Sequence, residues 1–125
     1  MLDVSKEQFK LYVSEAIDAI PEKYYKRIQN VVFITEDDPT PDQKTKLKLQ
    51  PGHSLFGLYE GIPLPDRNSQ YNLVLPDKIT IFRKPLLSYC KDEMALRNQI
   101  HKTIWHEVAH YFGLSHDAMD KLGGI

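Results

Sequence analysis

The sequence predicts a single α+β domain, in which a small mixed β-sheet packs against an N-terminal helix and a long helix near the C-terminus. Three observations predict this class. Helical periodicity opens the chain, β-branched and alternating segments fill its middle, and an uninterrupted helical stretch follows residue 92. A length of 125 residues suits one domain with a modest core, so residues 1–125 are expected to form one unit.

The first helix is predicted by a capping box, in which Ser5 is followed three residues later by Gln8. Pro21 is expected to end this helix. Residues 22–29 are predicted to add a further helical turn. The apolar residues of the first helix fall on one stripe, which consists of Phe9, Tyr12, Val13, Ala16, Ile17 and Ile20.

The middle of the chain is predicted to be extended. Residues 31–35 form a β-branched run that is typical of a buried strand, and residues 37–42 contain two prolines and predict a loop. Pro85 is expected to close the β portion. The other predicted strands are residues 44–50, with lysines on a solvent face, residues 54–60, and residues 71–75 running into 79–83.

A helix of roughly 20 residues is predicted to start at the N-cap Asp92. Glu93 suits its first turn, and neither proline nor glycine interrupts the chain before Gly113. Gly113 can take the left-handed conformation that ends a helix, and Ser115 is the predicted N-cap of a last short helix closed by Gly123. The predicted buried side carries Met94, Ile100, Ile104, Val108, Tyr111 and Phe112, and the exposed side carries Arg97, Asn98, His101 and Lys102.

A metal-binding pattern lies at the end of this long helix. His106, Glu107 and His110 form H-E-x-x-H, which Gly113 and His116 extend to H-E-x-x-H-x-x-G-x-x-H. Because residues four apart share a helix face, the imidazoles of His106 and His110 can converge on one ion, and the turn at Gly113 can return His116 as a third ligand. Three protein ligands leave one position for water, which is the catalytic arrangement of zinc. The sequence therefore predicts one Zn²⁺ per chain.

Glu107 follows the first of these ligands in the chain. It lies about 100° further round the helix, where it can reach a water at the metal without binding the metal itself. That is the position of a general base. The pattern therefore predicts a hydrolytic site with Glu107 as its catalytic residue.

Charge and cysteine content narrow the classes of partner. A net charge of −1 gives no electrostatic reason to expect binding to nucleic acid or to an anionic membrane. No apolar run approaches the roughly 18 residues that span a membrane.

The single cysteine, Cys90, excludes an intramolecular disulfide, and the first residues lack a secretory signal, so a cytoplasmic location is expected. The sequence makes no prediction of oligomeric state.

Residues 106–116 resemble the catalytic motif of the zincin metallopeptidases, in the extended form seen in metzincins. Together with residues 55–61 and 75–83, they make the whole chain resemble the small bacterial zincin-like metallopeptidases, a minimal version of that fold. The resemblance implies a zinc-dependent peptidase.

The same resemblance implies roles for individual residues. His106, His110 and His116 correspond to the metal ligands, and Glu107 corresponds to the catalytic acid/base. Members of the minimal family often carry an aspartate at the third-ligand position, so Asp117 is the reserve ligand.

The leading hypothesis is hydrolysis of a peptide bond in a peptide or protein substrate that lies extended along an edge strand. A zinc-dependent amide hydrolase with a small non-protein substrate is an alternative, and so is a catalytically silent zinc-binding module. Glu107 argues against the silent module, because a structural ion needs no base beside its ligands. The candidates for steadying the oxyanion, none singled out by spacing, are Tyr59, Tyr71, Tyr89, Tyr111 and Arg83.

Overall fold

The structure is a computed structural model that describes residues 1–49, 55–67 and 76–114. It confirms the predicted α+β class. No helix in these ranges is long and apolar enough to cross a membrane. The elements in chain order are α1 (Lys6–Asp18), α2 (Glu22–Tyr25), β1 (Val31–Glu36), α3 (Pro41–Leu49), β2 (Gly57–Glu60), a 3₁₀ turn (Leu64–Asp66), β3 (Asp77–Phe82), α4 (Arg83–Tyr89) and α5 (Glu93–Tyr111).

The described strands form a mixed sheet in the order β1-β3-β2. β1 runs parallel to β3 with Val31 opposite Asp77, and β2 runs antiparallel to β3 with Gly57 opposite Ile81. The central strand β3 is therefore buried, whereas β1 lies at an edge and is only partly buried. The prediction of a strand at residues 31–35 is confirmed, but the prediction that it is buried is wrong, since Val32 is 40% exposed.

Helix α1 begins as the capping box predicts, because the Oγ of Ser5 accepts a hydrogen bond from the backbone N–H of Gln8 at 3.1 Å. It ends at Asp18, before Pro21. The apolar stripe of α1 packs in the same core as α5, and the predicted turn after Pro21 is present as α2. Helices α1 and α5 thus enclose the core on which the site is built.

Helix α5 confirms the predicted long helix and both of its ends. The Oδ1 of Asp92 accepts from the N–H of Ala95 at 2.8 Å, and Gly113 has a φ of 72° just beyond the last turn. The N–H groups of Gly113 and Leu114 donate to the carbonyls of His110 and Ala109 at 3.0 Å each, which is the Schellman pattern of a glycine-ended helix.

One predicted core residue of α5 is wrong. Met94 is 75% exposed, while Leu96 is fully buried. Leu96 lies in phase with the buried Ile100 and Ile104, and Met94 lies about 200° round the helix from Leu96, so it faces solvent.

The prediction of a strand at residues 44–50 is wrong for residues 44–49, which belong to α3, and residue 50 lies outside the described residues. The N–H of Gln43 donates to the Oγ1 of Thr40 at 3.1 Å, and the N–H of Thr40 donates to the Oε1 of Gln43 at 2.9 Å. This is a capping box with Pro41 as the first helical residue. The local start signal therefore outweighs the alternation of lysine and leucine.

Helix α4 was not predicted, because Pro85 was expected only to end the strand before it. β3 ends at Phe82, and Arg83 is already helical. Pro85 lies in the first turn of α4, where backbone N–H groups have no partner within the helix, so its missing N–H costs little. The predictions for residues 71–75 and for Ser115 and Gly123 lie outside the described residues.

Candidate metal and catalytic site

The two histidines of the motif lie one turn apart on α5 and face each other. Their Nε2 atoms are 3.1 Å apart, and their ring centroids are 4.7 Å apart. Two nitrogens bound tetrahedrally to one zinc ion, each about 2.0–2.1 Å from it, are about 3.3 Å apart. The arrangement of His106 and His110 therefore fits a shared ion, and imidazole nitrogen is a preferred donor for zinc.

Glu107 lies beside this pair and is fully buried. Its Oε2 is 4.0 Å from the Nε2 of His106. A Cβ atom on Gly57 in β2 would lie 2.7 Å from the Cγ2 of Thr103 and 3.3 Å from the Cγ of Glu107. Gly57 therefore permits a close approach of the strand to the helix, and this approach confines the glutamate side chain.

The remaining predicted ligands, His116 and Asp117, lie outside the described residues. Within residues 1–49, 55–67 and 76–114, no group of three histidine, cysteine, aspartate or glutamate side chains comes together as a metal site. The structure thus brings together His106, Glu107 and His110, and the third ligand stays a prediction.

Two of the candidate oxyanion groups belong to the core. The hydroxyl of Tyr59 donates to the Oδ2 of Asp77 at 2.5 Å, and the hydroxyl of Tyr111 accepts from the N–H of Gln29 at 2.9 Å. Burial and the neighbouring carboxylate of Asp77 raise the pKa of Tyr59 far above its usual value. These contacts give both tyrosines structural roles.

The other candidates lie elsewhere. Arg83 donates to the Oδ1 of Asp37 at 3.2 Å and to the carbonyl of Val4 at 2.8 Å, so it ties the start of α4 to the N-terminal segment. Tyr89 is 70% exposed, and its ring packs on Phe56 at 5.0 Å between centroids. Tyr71 lies outside the described residues.

Sequence reasoning missed a buried ionic cluster just beyond the histidine pair. The Oδ2 of Asp77 accepts hydrogen bonds from the Nη2 of Arg67, at 2.6 Å, and from the hydroxyl of Tyr59. The side chain of Arg67 is 7% exposed and that of Asp77 is 5% exposed. The guanidinium of Arg67 also lies 5.0 Å from the ring centre of Tyr111, one residue after His110. The cluster therefore fixes the C-terminal end of α5 to the sheet.

A glycine makes room for this cluster. A Cβ atom on Gly61 would lie 2.1 Å from the Cγ of Asp77 and would collide with it. The N–H of Ile62, the next residue, donates to the Oδ1 of Asp77 at 3.3 Å. The signal in the sequence was an aspartate at the start of a β-branched strand, but its partners lie 10 to 18 positions away along the chain.

Comparison with known proteins agrees with this architecture. A family model described as zincin-like metallopeptidase matches residues 28–124. The structure is similar to that of a conserved hypothetical protein from Thermus thermophilus, with a TM-score of 0.57 and 18% sequence identity over 87% of this chain and 94% of the other. That likeness concerns the fold alone. No curated protein matches the sequence. Because the family model covers most of the chain, the protein belongs to the zincin-like metallopeptidase family.

Proposed function

We propose that the protein is a zinc-dependent peptidase in which Glu107 acts as general base and then as general acid. The observation that carries this proposal is the convergence of the His106 and His110 Nε2 atoms, 3.1 Å apart, next to a fully buried carboxylate. Membership of a zincin-like family supports zinc as the metal.

His106, His110 and His116, with Asp117 in reserve, would hold one zinc ion. A bound zinc ion supplies Lewis acidity toward the scissile carbonyl and lowers the pKa of water to about 7. Glu107 would take the proton of the attacking water and return it to the leaving amine. Packing against β2 holds its carboxylate in place for both transfers.

An extended peptide would lie along β2. Among the described strands, β1 and β2 occupy the two edges of the sheet, and Gly57 of β2 approaches the side chain of Glu107. Main-chain hydrogen bonds along an edge strand hold a peptide without regard to its side chains. We also expect the protein to act in a reducing compartment such as the cytoplasm, because Cys90 is a buried free thiol.

The decisive experiment combines metal analysis with cleavage of a peptide library. The wild-type protein should carry one zinc per chain and cleave peptides. Glu107→Ala should keep the zinc and lose about 10²- to 10⁴-fold in turnover, whereas His110→Ala should lose the zinc. His101→Ala, which removes another histidine of α5, is the matched control and should bind zinc like the wild type.

Two results would contradict the proposal. Loss of metal and activity together in Glu107→Ala would make this residue structural. Failure of the zinc-loaded wild type to cleave any peptide would favour the small-amide hydrolase, to be tested with amide substrates, or the silent zinc-binding module.

The third ligand needs its own comparison. Zinc titration of His116→Ala and Asp117→Ala should show a large loss of affinity in the first variant and wild-type affinity in the second. The opposite result would make Asp117 the ligand.

A further inference from the structure

An open groove of about 540 Å³ lies over the first half of α5. Gln99 and Lys102 line it, and on a helix both project within about 40° of the direction of His106. Lys102 is four residues before His106 and Gln99 is seven, so the groove begins about 6 to 11 Å along the helix axis from the histidine pair. The groove is thus a continuation of the same helix face as the candidate site.

The chain segment that leads into β2 lies on the groove side of the site. Gly57 contacts Thr103 and Glu107, while the rings of Tyr59 and Tyr111 lie 6.2 Å apart, so β2 and α5 run in the same direction. The chain before Gly57 therefore lies toward the start of α5, where the ring of Phe56 packs on Tyr89.

Tyr89 also lines the groove. An extended peptide advances about 3.3 Å per residue, so a peptide along β2 would place a side chain in the groove two to three residues from the scissile bond.

The charged residues that line the groove determine which kind of peptide side chain it would bind. Lys91 and Lys102 line it and are exposed, and no acidic side chain of the described residues lines it. The nearest acids along the chain are Asp92, which caps α5 and whose charge also reaches Cys90 in the groove wall, and Glu93, which accepts from the hydroxyl of Tyr12. The charged side chains that line the groove itself are the two lysines, with the ring of Tyr89 as an aromatic wall and the amide of Asn98 beside it.

We propose that this groove is a specificity subsite that selects peptides with an acidic side chain two to three residues from the scissile bond. The carboxylate would lie between Lys91 and Lys102, and the methylene groups of the side chain would pack on Tyr89. This inference rests on the proposed peptidase function and adds the substrate class to it.

The test uses peptides that differ only by glutamate or glutamine at each position around the scissile bond. The measured quantity is the ratio of kcat/KM for the two peptides. The wild type should prefer glutamate about five- to tenfold at one of these positions, the size expected of one or two solvent-exposed ion pairs. Lys102→Glu and Lys91→Glu should abolish or invert the ratio, and Lys10→Glu, with the same charge change on α1, should keep it. High salt should reduce the ratio in the wild type.

A binding measurement separates this inference from the peptidase proposal. Fluorescence anisotropy of labelled glutamate and glutamine peptides with Glu107→Ala, combined in turn with each lysine variant, gives a ratio of Kd values without turnover. A glutamate preference that both groove variants lose supports the subsite even if no peptide is cleaved. Cleavage and binding without a glutamate preference, or equal behaviour of all three lysine variants, would overturn the subsite and leave the peptidase proposal intact.

Discussion

Gly57 begins β2 and Gly61 directly follows it, and each glycine approaches a buried carboxylate in different surroundings. At one end Gly57 faces Glu107, and at the other Gly61 faces Asp77. Asp77 accepts hydrogen bonds from a tyrosine, an arginine and a backbone N–H. Glu107 lies one turn after Thr103 on α5, and its Oε2 is 4.0 Å from the Nε2 of His106. Burial alone therefore does not distinguish the structural acid Asp77 from the proposed catalytic acid Glu107, and the groups around each carboxylate are the better guide.

The largest expected effect comes from removing the charge of the structural acid. Asp77→Asn removes the carboxylate charge that pairs with the buried guanidinium of Arg67, and breaking a buried pair in this way costs about 3–5 kcal/mol of folding free energy. Urea unfolding followed by circular dichroism measures the loss.

The double variant Asp77→Asn with Arg67→Met provides the control, because it removes both charges. It should recover part of the lost stability. If Asp77→Asn alone unfolds at the same urea concentration as the wild type, the cluster around Asp77 is not a structural anchor.

Gly57→Ala should lower turnover about 10- to 100-fold, because the added methyl group meets Thr103 at 2.7 Å and forces a shift next to Glu107. Steady-state kinetics should show the effect in kcat more than in KM, with zinc content unchanged. Adding Thr103→Ser removes the Cγ2 atom of the clash and should restore most of the rate. Gly61→Ala is the matched substitution at the other end of β2, and it should lower stability instead. Similar losses of turnover in the two alanine variants would remove the distinction between the two ends.

Glu107→Gln should change the free energy of unfolding of zinc-free protein by no more than about 1 kcal/mol, because the amide keeps the shape of the side chain and the proposed role of Glu107 is chemical rather than structural. Urea unfolding of both zinc-free proteins measures this. A loss as large as that predicted for Asp77→Asn would show that Glu107 holds the fold together.

The smallest effect concerns Glu60, at the end of β2. Partial burial raises the pKa of Glu60. This effect is outweighed by hydrogen bonds from Lys46 and Gln43 and by the positive charges of Lys46 and Lys78, so the pKa of Glu60 lies below its usual value. A carboxyl whose pKa is lowered on folding stabilises the fold at any pH above its pKa in the unfolded chain, which is near 4.3. This stabilisation disappears as the pH falls through the pKa in the folded protein. Glu60→Gln should therefore cost up to about 1 kcal/mol at pH 7 and nothing once the pH is well below 4. Unfolding curves at both pH values test this. Lys46→Met should lower the free energy of unfolding at pH 7 by a similar amount.

What the sequence predicts well in this chain is local. Ser5, Asp92 and Gly113 mark helix ends through contacts within five residues, and His106 and His110 pair because they are four residues apart. Helix α3 was missed although its signal was local too, because the capping box of Thr40 follows directly on a proline-containing loop and its lysines alternate with leucines.

The groups that surround the carboxylates of Glu107 and Asp77 could not be predicted from the sequence pattern. Gly57 meets Glu107 across 50 positions of the chain, and Tyr59 meets Asp77 across 18. No periodicity connects such pairs, because they depend on the register of β2 against β3 and on the packing of the sheet on α5. The positions of His106, Glu107 and His110 on α5 were therefore predictable from the sequence, whereas the packing of Gly57 against Glu107 was not.

The histidine pair also bears on which metal the proposed site would take up in a cell. Both imidazoles belong to one hydrogen-bonded helix, so two ligands of the proposed tetrahedral site would be in place before any ion arrives. Such preorganisation strengthens binding of every divalent ion that accepts nitrogen donors, and copper(II) binds imidazole more strongly than zinc does in the general order of first-row metals. In the proposed site the helix would therefore supply affinity for a metal rather than selectivity among metals. Discrimination against copper has to come from the geometry of the remaining ligands and from the metals that the cell makes available.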